Sequence, residues 1–213
     1  SNTLTRQTTS KYAKILDTSA IIDGRILDVV KCHFIDGEIL VPQGVIEELQ
    51  VIADAKDSVK RDKGQRGLDI LNELKKTDFS ISIIEPTSTH KDVDALLIKL
   101  AKRYQASIIT TDYNLNKVCA VQGIKVLNVN DLSEAIKPNV HQGDRLNILL
   151  IKMGKEPGQG VGYLDDGTMV VVDNAKKLIG QYVTLEVISL LQTSSGRIVF
   201  AKYIEDEMSF SDK

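Results

Sequence analysis

Short apolar runs alternate with helical periods along the first two thirds of the chain. Residues 15–16, 38–41, 80–84, 107–111 and 125–129 each read as a strand, too short for a helix and bounded by turn or cap residues. Between them apolar side chains return every three or four positions, which predicts helices over 45–56, 67–76, 93–104 and 115–122. Strands separated by helices close as a parallel sheet with crossover helices on both faces. An α/β domain is expected over residues 12–137, preceded by a polar segment, 1–11.

Near Pro138 the helical period stops. Residues 144–152, 169–172, 183–191 and 197–203 read as strands, separated by turn signals at Asp165-Asp166-Gly167, Asn174 and Ser194-Ser195-Gly196. Eight of the fourteen glycines fall in this part, where tight turns need them. Four or five such strands close most naturally as a small all-β barrel, expected over 138–206 with a short tail, 207–213.

Composition narrows the class without deciding it. Over 213 residues, 42% hydrophobic and 26% charged content is ordinary for a globular protein. The net charge of -2 excludes a generic polycation but not a local basic patch. Cys32 and Cys119 lack metal or redox spacing, so free thiols in a reducing compartment are expected. No run approaches the roughly 20 apolar residues of a membrane span. Residues 1–10 lack a signal-peptide core, and a fragment whose N-terminal address lies upstream is expected.

The acidic residues fall in a telling order. Asp17 and Asp112 each follow an apolar strand, and in open parallel sheets ligands bind beyond the carboxyl ends of the strands. On the helix with the stripe Val45, Ile46, Leu49, Ile52 and Ala53, Glu48 lies at the edge of the buried face and Glu47 points away. On the helix beginning at Val93, Asp92 and Asp94 flank the stripe, and periodicity does not choose between them. Each acid also has an ordinary structural role as a cap, a helix-dipole partner or solvated surface. Those roles do not call for convergence. Clustered carboxylates repel unless a cation neutralises them, and hard oxygen donors suit Mg²⁺ or Mn²⁺. Such a site performs metal-assisted phosphodiester hydrolysis, one ion lowering the pKa of the attacking water.

Four segments, Leu16-Asp17-Thr18-Ser19, Val45-Ile46-Glu47-Glu48-Leu49, Val93-Asp94-Ala95-Leu96-Leu97 and Thr110-Thr111-Asp112-Tyr113-Asn114-Leu115, resemble in order the acidic motifs of PIN-domain nucleases. The Gly-rich barrel is similar to a TRAM domain, an OB-like RNA-binding module. With Asp23-Gly24-Arg25 extending the first motif, the pair resembles bacterial PIN–TRAM proteins of the YacL type over about residues 12–204. The resemblance implies a Rossmann-like PIN fold and a metal quartet of Asp17, Glu48, Asp94 and Asp112, which selects Asp94 over Asp92. It implies supporting roles for Ser19 and Thr111 as orienting hydroxyls, for Asn114 as a polar ligand and for Asp23. It further implies self-association, commonly as dimers. Membrane-spanning segments upstream would anchor the full-length protein at the inner face of the bacterial cell membrane, with this part in the cytoplasm.

Other features are weighed against these. Lys56, Lys60, Arg61, Lys63 and Arg66 form a basic segment between two helices, read as a guide for an RNA backbone or a mixed-charge loop. Gly158, Gly160 and Gly162 lack the strand-to-helix context of a nucleotide loop and read as a barrel loop. Tyr163 in that loop is the exposed candidate for stacking a base, whereas Tyr182, Phe200 and Tyr203 are expected in the core. His33, His90 and His141 show no ligand spacing. The expected activity is a metal-dependent endoribonuclease acting on single-stranded RNA. The alternatives are a non-catalytic RNA-binding or scaffold protein that keeps a metal site, and a flap-type DNA nuclease, whose extra acids and helical arch are not found.

Overall fold

The structure, a computed structural model, describes residues 12–84, 92–137 and 139–205. The expected N-terminal segment 1–11, the boundary residue Pro138 and the tail 207–213 lie outside them. The chain divides into two compact units between Ile136 and Lys137.

In the first unit the strands are β1 (Lys14–Leu16), β2 (Ile39–Pro42), β3 (Ile81–Ile84), β4 (Ser107–Thr110) and β5 (Val126–Asn128). They form one parallel sheet in the order β3-β2-β1-β4-β5. Ile15, Ile39, Val41 and Ile108 are fully buried, as expected for a sheet covered by helices. The flanking helices are α1 (Thr18–Asp23), α2 (Arg25–Lys31), α3 (Gln43–Ala53), α4 (Ser58–Lys75), α5 (Val93–Tyr104), α6 (Tyr113–Val121) and α7 (Val129–Ala135). The strand order runs outward from β1 through β2 to β3, then restarts on its other side with β4. The switch point therefore lies between β1 and β4, where a ligand cleft is expected.

Caps explain where several helices begin. Asp57 accepts from the backbone of Lys60 to start α4, Asp92 from Asp94 and Ala95 to start α5, Asp112 from Asn114 to start α6, and Asn128 from Asn130 to start α7. Of the basic segment expected between two helices, Lys56 does lie between α3 and α4, whereas Lys60, Arg61, Lys63 and Arg66 are in the first half of α4, which starts nine residues before the predicted 67. Gly64 and Gly67 read as helix breakers, but they are where α4 approaches α3. A Cβ on Gly64 would stand 2.2 Å from the Ala53 nitrogen, and one on Gly67 2.6 Å from a Leu49 methyl. The short helices α1, α2 and α7, with six or seven residues each, have too few turns to show a period and went unpredicted.

Among its described residues the second unit has six strands where four or five were expected: β6 (Arg145–Leu149), β7 (Lys152–Met153), β8 (Gly160–Tyr163), β9 (Met169–Val172), β10 (Tyr182–Thr193) and β11 (Gly196–Tyr203). Their order is β6-β10-β11-β9-β8-β7, antiparallel except for the β9–β11 pair. β6 and β7 are two stretches of one path: the first pairs with β10 and the second with β8. Between them Leu150 donates to Gln181 and Ile151 to Val161, so one strand joins both ends of the sheet and curls it into a barrel. Leu150, Val170, Val172, Leu185 and Val199 fill its core.

Two expectations here are corrected. Gly160 and Gly162 lie in β8, not in a loop. Glycine is needed because a Cβ on Gly162 would meet an Ile148 methyl at 2.4 Å and the Leu149 carbonyl oxygen at 2.6 Å. Nor do the aromatics form the core, which is aliphatic. Tyr182 is 73% exposed and Tyr203 40%, both more than the 37% of Tyr163 at the end of β8, while Phe200 is half-buried.

Among the described residues no helix is long and apolar enough to cross a membrane.

Candidate active site

Asp17 sits directly after β1 and is 6% exposed. Its backbone N–H donates to Ile109 of β4, which ties the two strand ends together at the switch point. Its Oδ2 accepts from the Ser19 hydroxyl and from the Thr110 hydroxyl, each at 2.7 Å. Those two oxygens lie 3.1 Å apart, but each hydroxyl has one proton and gives it to Asp17. Their lone pairs are used as well: the Thr111 N–H donates to Ser19 and the Asp112 N–H to Thr110. A buried carboxylate is thus held by two charge-assisted hydrogen bonds, and the same hydroxyls set the backbone that carries Asp112.

Glu48 comes from the middle of α3, and its Oε2 accepts from the Thr18 hydroxyl at 2.6 Å. Asp112 uses Oδ1 to cap α6 through the Asn114 N–H at 2.8 Å. On α5 the two aspartates divide their work. Asp92 is engaged with backbone N–H groups as the cap, and Asp94, one residue inside the helix, accepts no cap bond. Loss of surrounding water pushes the Asp94 carboxyl above its ordinary range, and the negative charges of Asp17, Asp92, Asp112 and Glu48 add to the effect. Asp94 therefore stands in the joint field of the other three sequence-picked acids. Behind them burial raises the thiol of Cys119, and the charges of Asp94 and Asp17 push it further.

Among the described residues no Lys, Arg or His forms a salt bridge with any of the four acids. Also among those residues, no three Asp, Glu, His or Cys side chains close tightly enough around one point to hold an ion as they stand. Asp17, Glu48 and Asp112 are near enough for their charges to act on Asp94, yet the four are not drawn into one coordination sphere. Charge interactions reach further than ligation, so the two observations agree.

The supporting residues behave less uniformly. Ser19 touches Asp17. Thr111 contributes its backbone, and the orienting hydroxyl comes from its neighbour Thr110, fully buried at the end of β4. Asn114 likewise contributes a backbone N–H to Asp112, and its residue is exposed. Asp23 does not face the acids. It takes the Arg25 guanidinium in a two-point pair, Nε to Oδ1 at 2.8 Å and Nη2 to Oδ2 at 2.9 Å. These bonds hold its carboxyl below the usual range against the effect of burial, with the charge of Arg66 adding a smaller pull. Of the basic residues on α4, Arg66 donates to the Ile22 carbonyl at 3.1 Å. Lys60, Arg61 and Lys63 lie on the turns before it, the two lysines exposed and Arg61 half-buried. In the barrel, the Lys152 ammonium stands 5.5 Å from the centre of the Tyr163 ring, a cation–π distance.

A family model of the PIN domain matches residues 14–121, and one of the TRAM domain matches residues 140–197. The chain belongs to the PIN-domain family. A TRAM domain follows the PIN domain, and the matched PIN span contains Asp17, Glu48, Asp94 and Asp112. The chain is 51% identical over 194 residues to the uncharacterised PIN and TRAM-domain containing protein YacL of Bacillus subtilis, covering 90% of this chain and 53% of that protein. It is 48% identical over 192 residues to a PIN and TRAM-domain containing protein of Synechocystis, slr1972, covering 89% and 53%. With the Thermus thermophilus protein TTHA0540 it shares 40% identity over 189 residues, covering 89% and 56%. This PIN–TRAM chain thus spans about half the length of those relatives.

Sequence reasoning missed Thr110 because both faces of a covered parallel sheet are buried, so alternation cannot say which of the adjacent Thr110 and Thr111 points at an acid; it missed Thr18, the first residue of α1, because its partner Glu48 lies 30 residues away. It also missed Arg25 and Asn130, whose link spans 105 residues.

Proposed function

We propose that this chain is a metal-dependent endoribonuclease that hydrolyses single-stranded RNA, with residues 12–137 cutting and the barrel, 138–206, holding RNA. Membership of the PIN family, in general one of metal-dependent nucleases, supports the reaction class, and a TRAM domain supports nucleic-acid binding. The observation that carries the reading is the field at Asp94: burial and the charges of Asp17, Glu48 and Asp112 raise its carboxyl at the switch point, and among the described residues no cation is paired with any of the four. Their donors are hard oxygens, the set that fits Mg²⁺ or Mn²⁺.

In this reading Asp17, Glu48, Asp94 and Asp112 would hold the ion. A bound divalent ion supplies polarisation of the phosphate and a lower pKa for attacking water. The chain's own part is positioning. Ser19 and Thr110 fix the Asp17 carboxylate, Thr18 fixes Glu48, and the α6 cap fixes Asp112, so these three acids present set orientations. Lys60, Arg61, Lys63 and Arg66 on α4 are assigned to the RNA backbone, and Tyr163 with Lys152 to a stacked base. Self-association as a dimer, and a membrane anchor upstream of a cytoplasmic PIN–TRAM part, belong to the same proposal. Sedimentation of this chain and fractionation of the full-length protein test them.

Single-stranded RNA and flap DNA are incubated with the protein and Mn²⁺, with and without chelator, for wild type and Asp94→Asn. RNA cleavage that chelator abolishes and Asp94→Asn reduces by about a hundredfold or more is the expected result. RNA binding without cleavage would mean a non-catalytic RNA-binding protein. Preference for flap DNA would mean the related DNA nuclease.

A further inference from the structure

A site of four carboxylates repels the phosphate it has to receive, and among the described residues no cation pairs with any of the four. A bonded route from a cation to these acids runs through Arg25. Its Nη2 donates to the Asn130 side-chain oxygen at 2.6 Å. The Asn130 amide donates in turn to the Thr111 carbonyl at 3.3 Å. Thr111 is the residue between Thr110, which holds Asp17, and Asp112. Asn130 is itself fixed, its N–H donating to the Asn128 cap at 2.8 Å.

Three features distinguish this from a plain staple between the α1–α2 corner and α7. The first is what the guanidinium leaves over. Of its five N–H groups, Nε and one on Nη2 go to Asp23 and the other on Nη2 to Asn130, so among the described residues both N–H groups of Nη1 stay uncommitted. The second is exposure, because the Arg25 side chain is 44% accessible. The third is charge. Asp23 answers two guanidiniums, Arg25 by direct hydrogen bonds and Arg66 through its field. Two cations against one carboxylate leave this group with a net positive charge. Lys63, one turn before Arg66 on α4, extends it.

We propose that Arg25 is a phosphate-contacting residue of the acidic site, latched by Asp23 and Asn130 so that its Nη1 edge holds the backbone of single-stranded nucleic acid beside Asp112. A planar, fixed fork loses little freedom when it takes up a phosphate oxygen. The inference rests on the nuclease reading and adds to it the group that admits the substrate.

The test uses the full chain, Mn²⁺ and a short single-stranded RNA, with cleavage kinetics and RNA binding measured across a salt series. Arg25→Gln is expected to raise KM about tenfold with kcat nearly unchanged, and to flatten the dependence of log binding on log salt by about one. Arg25→Lys, which keeps the charge without the fork, recovers the salt slope and part of KM. Asn130→Ala keeps the guanidinium but frees it, so KM rises while the slope stays. If Arg25→Gln does not fold by its melting curve, the last two variants carry the test alone. Wild-type KM and salt slope in Arg25→Gln, or a loss confined to kcat that lysine does not rescue, would overturn the assignment. A wild type that neither cleaves nor binds RNA would overturn the nuclease reading beneath it, a separate result.

Discussion

Gly64→Ala sets two known effects against each other on one helix. Helix propensity alone favours alanine by about 1 kcal/mol. The structure puts a wall in the way: the new Cβ would lie 2.2 Å from the Ala53 nitrogen, 2.6 Å from its Cα and 2.6 Å from the Ile52 carbonyl carbon. These are backbone atoms of α3, which cannot swing aside as a side chain does. Relief requires the two helices to part by about 1 Å, which loosens the packing of Gly67 on Leu49 one turn further on. Overpacking of this kind costs about 3 kcal/mol at its upper range. Against the propensity gain that leaves a net loss of about 2 kcal/mol, or about 4–8 °C in Tm for a chain of this size. Gly67→Ala is the internal control. Its Cβ meets side-chain atoms, a Leu49 methyl at 2.6 Å and Ile22 Cγ1 at 3.3 Å, which can turn away, so its net loss stays under about 1 kcal/mol. Thermal unfolding by circular dichroism measures both. A Gly64→Ala protein that melts at or above the wild-type temperature would refute the reasoning.

Thr110→Val keeps the shape of a fully buried residue and deletes both hydrogen bonds of its hydroxyl. Stability should fall by about 1–3 kcal/mol in chemical denaturation, and RNA cleavage by about 10- to 100-fold; unchanged cleavage would remove Thr110 from the support of Asp17. Mn²⁺ at a hundred times its Kd should stabilise the wild type by about 2.7 kcal/mol in a thermal-shift series, and Asp94→Asn should lose most of that gain. An equal gain in both proteins would place the ion elsewhere. For Asp23 the sign follows from its lowered pKa: its contribution is present above the ordinary value of 3.8 and is lost as pH falls through the folded value. The stability difference between wild type and Asp23→Asn should therefore shrink below about pH 4, and a difference independent of pH from 7 to 2 would contradict the pairing with Arg25.

Legibility in the sequence followed the range of the interactions. Strands and the longer helices declared themselves through periodicity, and α5 (Val93–Tyr104) spans the predicted residues. The start of α4 did not, because Gly64 and Gly67 are glycines for the sake of the close approach to α3, a packing contact that local periodicity does not register. β8 hid behind its glycines for the same reason, since Ile148 and Leu149 occupy the space where its side chains would go. In the site, strand-end position pointed to Asp17 and Asp112, and helical phase to Glu48 over Glu47. The division between Asp92 and Asp94 depended on which carboxylate reached the helix N–H groups, a matter of local angles that spacing does not encode. Tyr182 and Tyr203 were misplaced because aromatic character suggests burial, whereas β-branched and other aliphatic side chains already fill this small barrel.

The path from β6 to β7, which pairs with β10 at one end and β8 at the other, bears on the order in which the barrel assembles. Residues 145–149 leave the ribosome well before their partners at 182–186 and have no strand to join until those arrive. Closure therefore waits for nearly the whole second unit, a pairing of high sequence separation and hence a slow step. The first unit, complete by Ile136, is free to fold during that delay. Once the path is shut it also leaves few unpaired strand edges for another chain to extend. The interval before closure is then the time at which this half of the protein is most open to mispairing.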